Sequence, residues 1–399
     1  MNIYNNNNIA SLPTKIVLQP PCLLSMPKSV EINDHWNNGG SGIGCDSSAT
    51  RAAFGEYFER RHFYMEIWPE TSGTLDSVLP PKDVEKFTTA FVQTAIQKTT
   101  KKEIRSHTFN LTKVCRTSDF SSCYIPSACI SLSAHNIESD SLIYPLRDTC
   151  GCCFHSDPTL AILGSLKEQL ERQFLAKFWL TKKCNRIITN EEAINKLKKF
   201  SSFNLYHYLR LSGNLTIIDI SDQHFPGKSV LTVYGNSDSE RHVKYCAGMA
   251  YAATVEEAID KSILELWQTY RFMDLHGANQ RKNSDIEDPY LKHFLNCNSF
   301  QTYQTITEVE YSNIMQSSPS SEFSIRGLLR SLHAFDITGY IYIKTTKIDN
   351  NNYYLTKYVS TDLFLHMNNS KNINIDNTYA SSFRHEIYSD RKSSMVPFP

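Results

Sequence analysis

Three segments repeat one arrangement of small and acidic side chains: Ala49, Ala53, Glu56, Glu59, then Ala161, Ser165, Glu168, Glu171, then Ala258, Ser262, Glu265, Gln268. Offsets of four, seven and ten put each set on one stripe of a helix. The small residues let something approach the helix ahead of the first Glu, where the acidic pair meets it. Five carboxylates and one amide could converge. Gathered without counter-charge they would repel and raise one another's pKa, so such a cluster normally holds cations. Oxygen-only ligands select a hard ion such as Mg²⁺, which bridges a few carboxylates to substrate phosphates. A single E-x-x-E is most simply a solvated helix face; three copies with matched small residues are not. Arg60 and Arg172, each directly after a Glu, could reach a phosphate or form a plain intrahelical ion pair.

These stripes require three long helices. Asp46, Ser47 or Ser48 caps the first, which runs to about Ile67, with Pro69 as its stop. Asp157-Pro158 opens the second, to about Leu180, and Thr254 with Glu257 opens the third, to about Leu275. Gly39, Gly40, Gly42 and Gly44 precede the first helix without a G-K-[ST] ending, so they are expected to be a flexible lead rather than a phosphate cradle. Pro80, Pro81 and Asp83 open another helix. Strand-like text follows Phe109 and includes 128–132, before a turn at 148–151. Segments 215–220 and 229–234 read as strands. Segment 277–321 is polar and irregular, the expected place for a variable insertion. Segment 323–335 looks helical, and 339–347 and 353–360 look like strands joined by a turn at 349–352. The Asn run at 5–8 is expected to fray.

At 399 residues the chain is long enough for two domains or one large one. Hydrophobic residues at 41% and charged residues at 21% exclude a disordered or fibrous chain. The 41 basic residues cancel the 41 acidic ones, so no global field steers the chain toward nucleic acid or an anionic membrane. Eleven cysteines, an odd number at low density, read as reduced thiols. Cys150, Cys152, Cys153 and His155 look like zinc ligands, but adjacent Cys152 and Cys153 fit one tetrahedral site poorly and no second C-x-x-C exists. The apolar start at 16–26 is broken by Pro20 and Pro21, and no run of about 18 apolar residues occurs, so neither signal peptide nor membrane span is expected. A soluble, intracellular protein is expected. The 13 histidines form no catalytic motif, and Lys98, Lys101 and Lys102 read as a solvated helix end.

The segments 49–60, 161–172 and 248–268 resemble the three ATP-binding motifs of YcaO proteins, in particular the cyclodehydratase subunit of thiazole/oxazole-modified microcin synthetases. Asp148-Thr-Cys-Gly-Cys152, Phe364-Leu-His-Met-Asn-Asn369 and Met395-Val-Pro-Phe-Pro399 resemble that subunit too, so the likeness covers nearly the whole chain. It implies ATP-dependent peptide-backbone chemistry in a bacterial cytoplasm. A substrate Cys or Ser/Thr attacks the preceding amide carbonyl, ATP phosphorylates the oxyanion, and loss of phosphate leaves a thiazoline or oxazoline. Carried over by position, Glu56, Glu59, Glu168, Glu171, Glu265 and Gln268 form the Mg²⁺ and phosphate shell, with Arg60 and Arg172 as phosphate contacts. Three departures matter: Ala52 replaces a common Ser, Gly164 a polar Asn or His, and Gln173 an acidic residue.

The expected fold is α+β, one catalytic unit over 1–399. The resemblance implies separate partners: a precursor peptide with its leader, a leader-binding subunit and an FMN-dependent azoline dehydrogenase. Two rival functions stand beside cyclodehydration, a non-catalytic nucleotide-binding assembly subunit and a YcaO enzyme that forms thioamides or amidines. Pro397 and Pro399 stiffen the tail, which could deliver a terminal carboxylate as the base that no histidine motif supplies; the resemblance puts Pro399 near the nucleotide.

Overall fold

The computed structural model describes residues 15–18, 26–34, 38–45, 47–279, 282–312, 322–367 and 372–398; the Asn run at 5–8, Asp46, Asn368, Asn369 and Pro399 lie outside them. In chain order the strands are β1 (Lys15–Leu18), β2 (Lys28–Asn33), β3 (Gly39–Gly44), β4 (Thr71–Gly73), β5 (Phe109–Arg116), β6 (Ser122–Pro126), β7 (Cys152–His155), β8 (Lys183–Cys184), β9 (Arg186–Ile188), β10 (Asn214–Asp219), β11 (Lys228–Gly235), β12 (Tyr245–Ala252), β13 (Glu310–Tyr311), β14 (Tyr340–Ile348) and β15 (Asn351–Val359). The helices used below are α1 (Ser47–Met65), α2 (Pro81–Thr94), α3 (Pro158–Thr181), α4 (Val255–Ala278) and α5 (Pro289–Asn296). Helices and antiparallel sheets together make the fold α+β. The sheets run β1-β2-β3, β4-β5-β14-β15-β7 with β6 against β5, and β12-β11-β10-β9.

Each long helix lies on a strand that makes room for it. A Cβ on Gly42 would sit 2.1 Å from the Ala49 carbonyl oxygen and 2.4 Å from the Ala53 nitrogen, so α1 rests directly on the bare face of β3. Gly248 does the same for α4 on β12, where a Cβ would fall 2.1 Å from the Leu266 nitrogen. Under α3 the strand is β7: a Cβ on Gly164 would meet Cys153 Sγ at 2.4 Å, and Thr356 Oγ1 donates to the Ala161 carbonyl at 2.8 Å. Ala49, Ala53, Ala161, Ser165, Ala258 and Ser262 are all fully buried. What approaches the small residues is therefore the sheet, through strand backbone at Gly42 and Gly248 and through the Thr356 and Thr232 hydroxyls at Ala161 and Ser262, with the acidic residues one or two turns further along.

This corrects several sequence expectations. The glycines at 39–44 are not a flexible lead but β3, held extended by the helix on its face. Segment 128–132 forms no strand: Ser127–Cys129 is a 3₁₀ turn, tied by Thr112 and Ser127 hydroxyls 2.7 Å apart. Segment 277–321 is not irregular throughout, since it holds α5 and a second helix, Phe300–Thr307. β12 escaped notice because all eight of its residues are buried and no alternation exists to read. The β14–β15 turn was legible: Asp349 and Asn350 both take positive φ, 46° and 65°, as a two-residue hairpin requires.

The largest core packs α3 and α4 against β10, β11 and β12; a second, around Phe87, Phe91, Leu111 and Tyr340, lies between α2 and the six-stranded sheet. All cysteines among the described residues are free thiols. Burial pushes Cys150 and Cys152 well above the usual thiol range. Among the described residues no helix is long and apolar enough to cross a membrane.

Because backbone atoms, not side-chain ends, crowd Gly248, Gly248→Val is expected to cost about 1–3 kcal/mol in a chemical-denaturation midpoint. A wild-type midpoint would contradict the close approach of α4 to β12.

Candidate functional site

The acidic residues influence one another in succession, Glu56 on Glu59, Glu59 and Glu171 on Glu168, and Glu171 on Glu265. They meet in pairs where neighbouring helices adjoin. Glu168 on α3 is pushed well above the carboxylate range first by burial and then by Glu59 on α1. Glu265 on α4 rises to about 8, again by burial first and then by Glu171 on α3. Glu59 also reaches about 8, through burial and then Glu56, with Arg60 and Lys357 pulling the other way. At the remaining junction, α4 to α1, no like charges meet: Gln268 Nε2 donates to Ser41 Oγ, which donates to Glu56 Oε2 at 3.1 Å. The second acidic position of each helix thus faces the first of the next, and an amide occupies the last place.

Backbone groups fix three of these carboxylates. The Ser41 N–H donates to Glu56 Oε2 at 2.7 Å, the Tyr251 N–H to Glu171 Oε2 at 2.7 Å, and the Met249 N–H to Glu265 Oε2 at 3.4 Å. β3 and β12 both end their sheets, so their outward N–H groups need partners. Carboxylates on the overlying helices supply them. Glu171 is almost wholly buried, whereas Glu265 opens onto a cleft where water reaches it despite the crowding that raises its pKa.

That cleft is a cavity of about 560 Å³ lined by Ser41, Glu56, Arg60, Arg172, Glu265 and Gln268, with Leu231, Phe272, Leu291 and Phe294 as an apolar wall. Glu59, Glu168 and Glu171 are not in its lining. A larger hollow of about 730 Å³ beside Glu191, Lys196 and Lys199 is open surface remote from all of these residues. Arg60 forms the intrahelical ion pair, 2.5 Å from Glu56 Oε1, and still lines the cavity with its Nε buried and without a hydrogen-bond partner. Against the effect of burial, Glu56 and Glu59 raise the pKa of Arg60, and Cys150 with Glu168 and Glu171 that of Arg172, so each stays charged.

The donor set is oxygen-only, and its buried carboxylates hold protons for want of a counter-charge, which suits a hard cation. Among the described residues no group of three or more His, Cys, Asp or Glu could hold a metal ion by itself. Mg²⁺ would therefore take its other ligands from phosphate and water, its usual habit.

The departures from the motif have local reasons. A larger side chain at Gly164 would collide with Cys153. Gln173 Nε2 donates to the Phe364 carbonyl at 3.1 Å and its Oε1 accepts the Phe364 N–H at 2.8 Å, a two-way bond that a carboxylate cannot make. Ala52 is exposed. Asp148 joins two of the recognised phrases by accepting from the Cys150 N–H at 3.1 Å and the Met367 N–H at 2.7 Å. Sequence reasoning missed Ser41, whose one cue was a polar residue inside a glycine run, and the wall supplied by α5.

The tail is docked: Val396 and Phe398 are core residues, and Phe398 lines the cavity. Pro399 lies outside the described residues.

Residues 41–359 match the YcaO cyclodehydratase, ATP- and Mg²⁺-binding family. The chain is 33% identical, over the full length of both, to the microcin B17-processing protein McbD of Escherichia coli. The E. coli microcin synthetase McbBCD complex with pro-MccB17 bound contains a chain of the same fold, at TM-score 0.87 and 33% identity, covering 100% of this chain and 99% of that one. YcaO from Methanopyrus kandleri, solved with AMPPCP and Mg²⁺, shares the fold at TM-score 0.54 and 13% identity, covering 89% and 87%. The chain with its three acidic helices belongs to the YcaO cyclodehydratase family, whose members bind ATP and Mg²⁺.

Proposed function

We propose that this chain is the ATP-dependent cyclodehydratase of a microcin-type synthetase, acting in the cytoplasm on Cys and Ser/Thr of a leader-bearing precursor peptide, with 1–399 as one catalytic unit. The observation that carries the reading is the pairing of raised-pKa carboxylates across helix junctions beside a cavity with two cationic arginines. In the reaction the substrate side chain adds to the preceding amide carbonyl, the amide oxygen takes the γ-phosphoryl group of ATP, and phosphate leaves with that oxygen. The peptide loses one water and ATP becomes ADP and phosphate.

Mg²⁺, when bound, neutralises the triphosphate and the charge that develops on the transferring group. Glu59 with Glu168, and Glu171 with Glu265, are the carboxylate pairs that would hold it; Glu56 and Gln268 complete the shell. Arg60 and Arg172 face the cavity as fixed positive charges for phosphate oxygens. Ser41 holds Glu56 and Gln268 in register. The apolar wall excludes water from one side of the cavity. The tail reaches the same cavity through Phe398, and Pro399 is the residue by which it would act on the substrate's protons. The 33% identity to McbD over the full length of both chains, and the likeness to a chain of the McbBCD complex with pro-MccB17 bound, favour this over a non-catalytic subunit or a thioamide-forming enzyme; the expected partners are a leader-binding subunit and an FMN-dependent dehydrogenase.

Glu171→Gln keeps an oxygen for the Tyr251 N–H while removing the charge, so it should fold and lose at least about 100-fold in ring formation, read as losses of 18 Da per ring by mass spectrometry. Wild-type rates in that variant would remove Glu171 from the shell. The raised carboxylates also set a pH dependence. With folded pKa values near 8 at Glu59 and Glu265 against 4.5 unfolded, the folded state binds the extra protons, so ligand-free stability should fall as pH rises from about 5 to 8. Melting temperatures across that range, with and without Mg²⁺ and ATP, should diverge as pH rises; a constant gap would contradict it.

A further inference from the structure

The tail runs past four side-chain donors. Trp179 Nε1 donates to the Ser394 carbonyl at 3.2 Å, His293 Nε2 lies 3.1 Å from the Met395 carbonyl, Tyr245 OH donates to Pro397 O at 2.8 Å, and Tyr290 OH to Phe398 O at 2.6 Å. Proline brings no N–H, and this stretch joins no strand, so its carbonyls depend on such donors once buried. Two of the four stand on α5. The same short helix puts Tyr290, Leu291 and Phe294 into the wall of the nucleotide cavity. It is a fixed platform rather than a frayed turn: Pro289 starts it and Asp288 Oδ1 accepts the Leu291 N–H at 2.6 Å. Tyr290 also feels the Arg172 charge, yet burial outweighs it and keeps the phenol protonated, able to donate.

We infer that α5 is a clamp that sets the tail against the nucleotide cavity, with Tyr290 as the positioning residue for ring formation. One face of the helix meets the cavity and its polar groups hold the tail's carbonyls, so the placement of one constrains the other. This segment, expected from sequence to be the place for a variable insertion, is then part of the reaction centre. The inference rests on the tail taking part in the reaction, as proposed above. It goes beyond that proposal in naming what holds the tail and in predicting that binding of ATP and use of ATP come apart when the hold is released.

The test uses the assembled synthetase with precursor peptide and ATP, comparing Tyr290→Phe, a variant lacking Pro399, and the two changes combined. Tyr290→Phe keeps the ring against the cavity and loses only the hydroxyl. Its expected result is a kcat for ring formation down about tenfold or more, KM for ATP within about twofold, and more ATP hydrolysed per ring. A merely structural loss would lower folded protein without changing ATP spent per ring. The combined variant should be no worse than loss of Pro399 alone. Wild-type kcat and stoichiometry in Tyr290→Phe, with loss of Pro399 still abolishing ring formation, would overturn the clamp and leave the tail's role standing. Wild-type behaviour in both single variants would overturn the tail's role and the clamp with it. Should Tyr290→Phe fail to assemble, His293→Leu reads the same coupling through Met395, with the same expected rise in ATP per ring and the same contradicting result.

Discussion

Repulsion between carboxylates brought together by three helices is the constraint around which this protein is arranged. Burial already disfavours charge at Glu59, Glu168 and Glu265, and each then faces another glutamate. In water two such groups would drift apart. Here the helices cannot, because each is pressed onto a strand through glycine or small side chains and each belongs to a packed core. The fold therefore stores an unsatisfied requirement for positive charge, and protons meet it until a cation does.

The residues that build the helix–strand contacts and those that build the site are interleaved on the same stripes. Gly42 admits α1 and Ser41 beside it binds Glu56; Gly248 admits α4 and Met249 beside it binds Glu265. A carboxyl group that accepts an edge-strand N–H is held in one orientation. That gives a rigid acidic site and a protected sheet edge from one interaction. The exception is equally informative. Gln268 and Ser41 close the third junction on Glu56 without bringing a second carboxylate to it.

Much of this was legible in one dimension. The stripes, the caps of α3 and α4 and the extents of α1, α3 and α4 follow from spacing and end signals, which act within a turn or two. The β14–β15 hairpin was legible for the same reason. What was not legible depends on pairs distant in sequence: that Glu59 meets Glu168 rather than its own neighbours alone, that Ser41 bridges Glu56 and Gln268, and that the small residues face strands rather than a ligand. β3 and β12 were hidden by composition, one too rich in glycine and the other too uniformly buried to alternate. α5 and its neighbour are eight residues each, too short for periodicity to outweigh polar content. The recognised motif carried the site's identity, and the structure adds which glutamate faces which across the helix junctions.

The central claim is that these paired carboxylates exchange protons for a cation. Titration calorimetry at pH 7, adding the preformed Mg²⁺ complex of a non-hydrolysable ATP analogue in buffers of different ionisation enthalpy, counts the protons that binding displaces. With Glu59 and Glu265 at about 8 in the free protein, binding should release protons, and fewer as the pH is raised above 8. Binding with no net proton release at pH 7, or with uptake, would contradict the account.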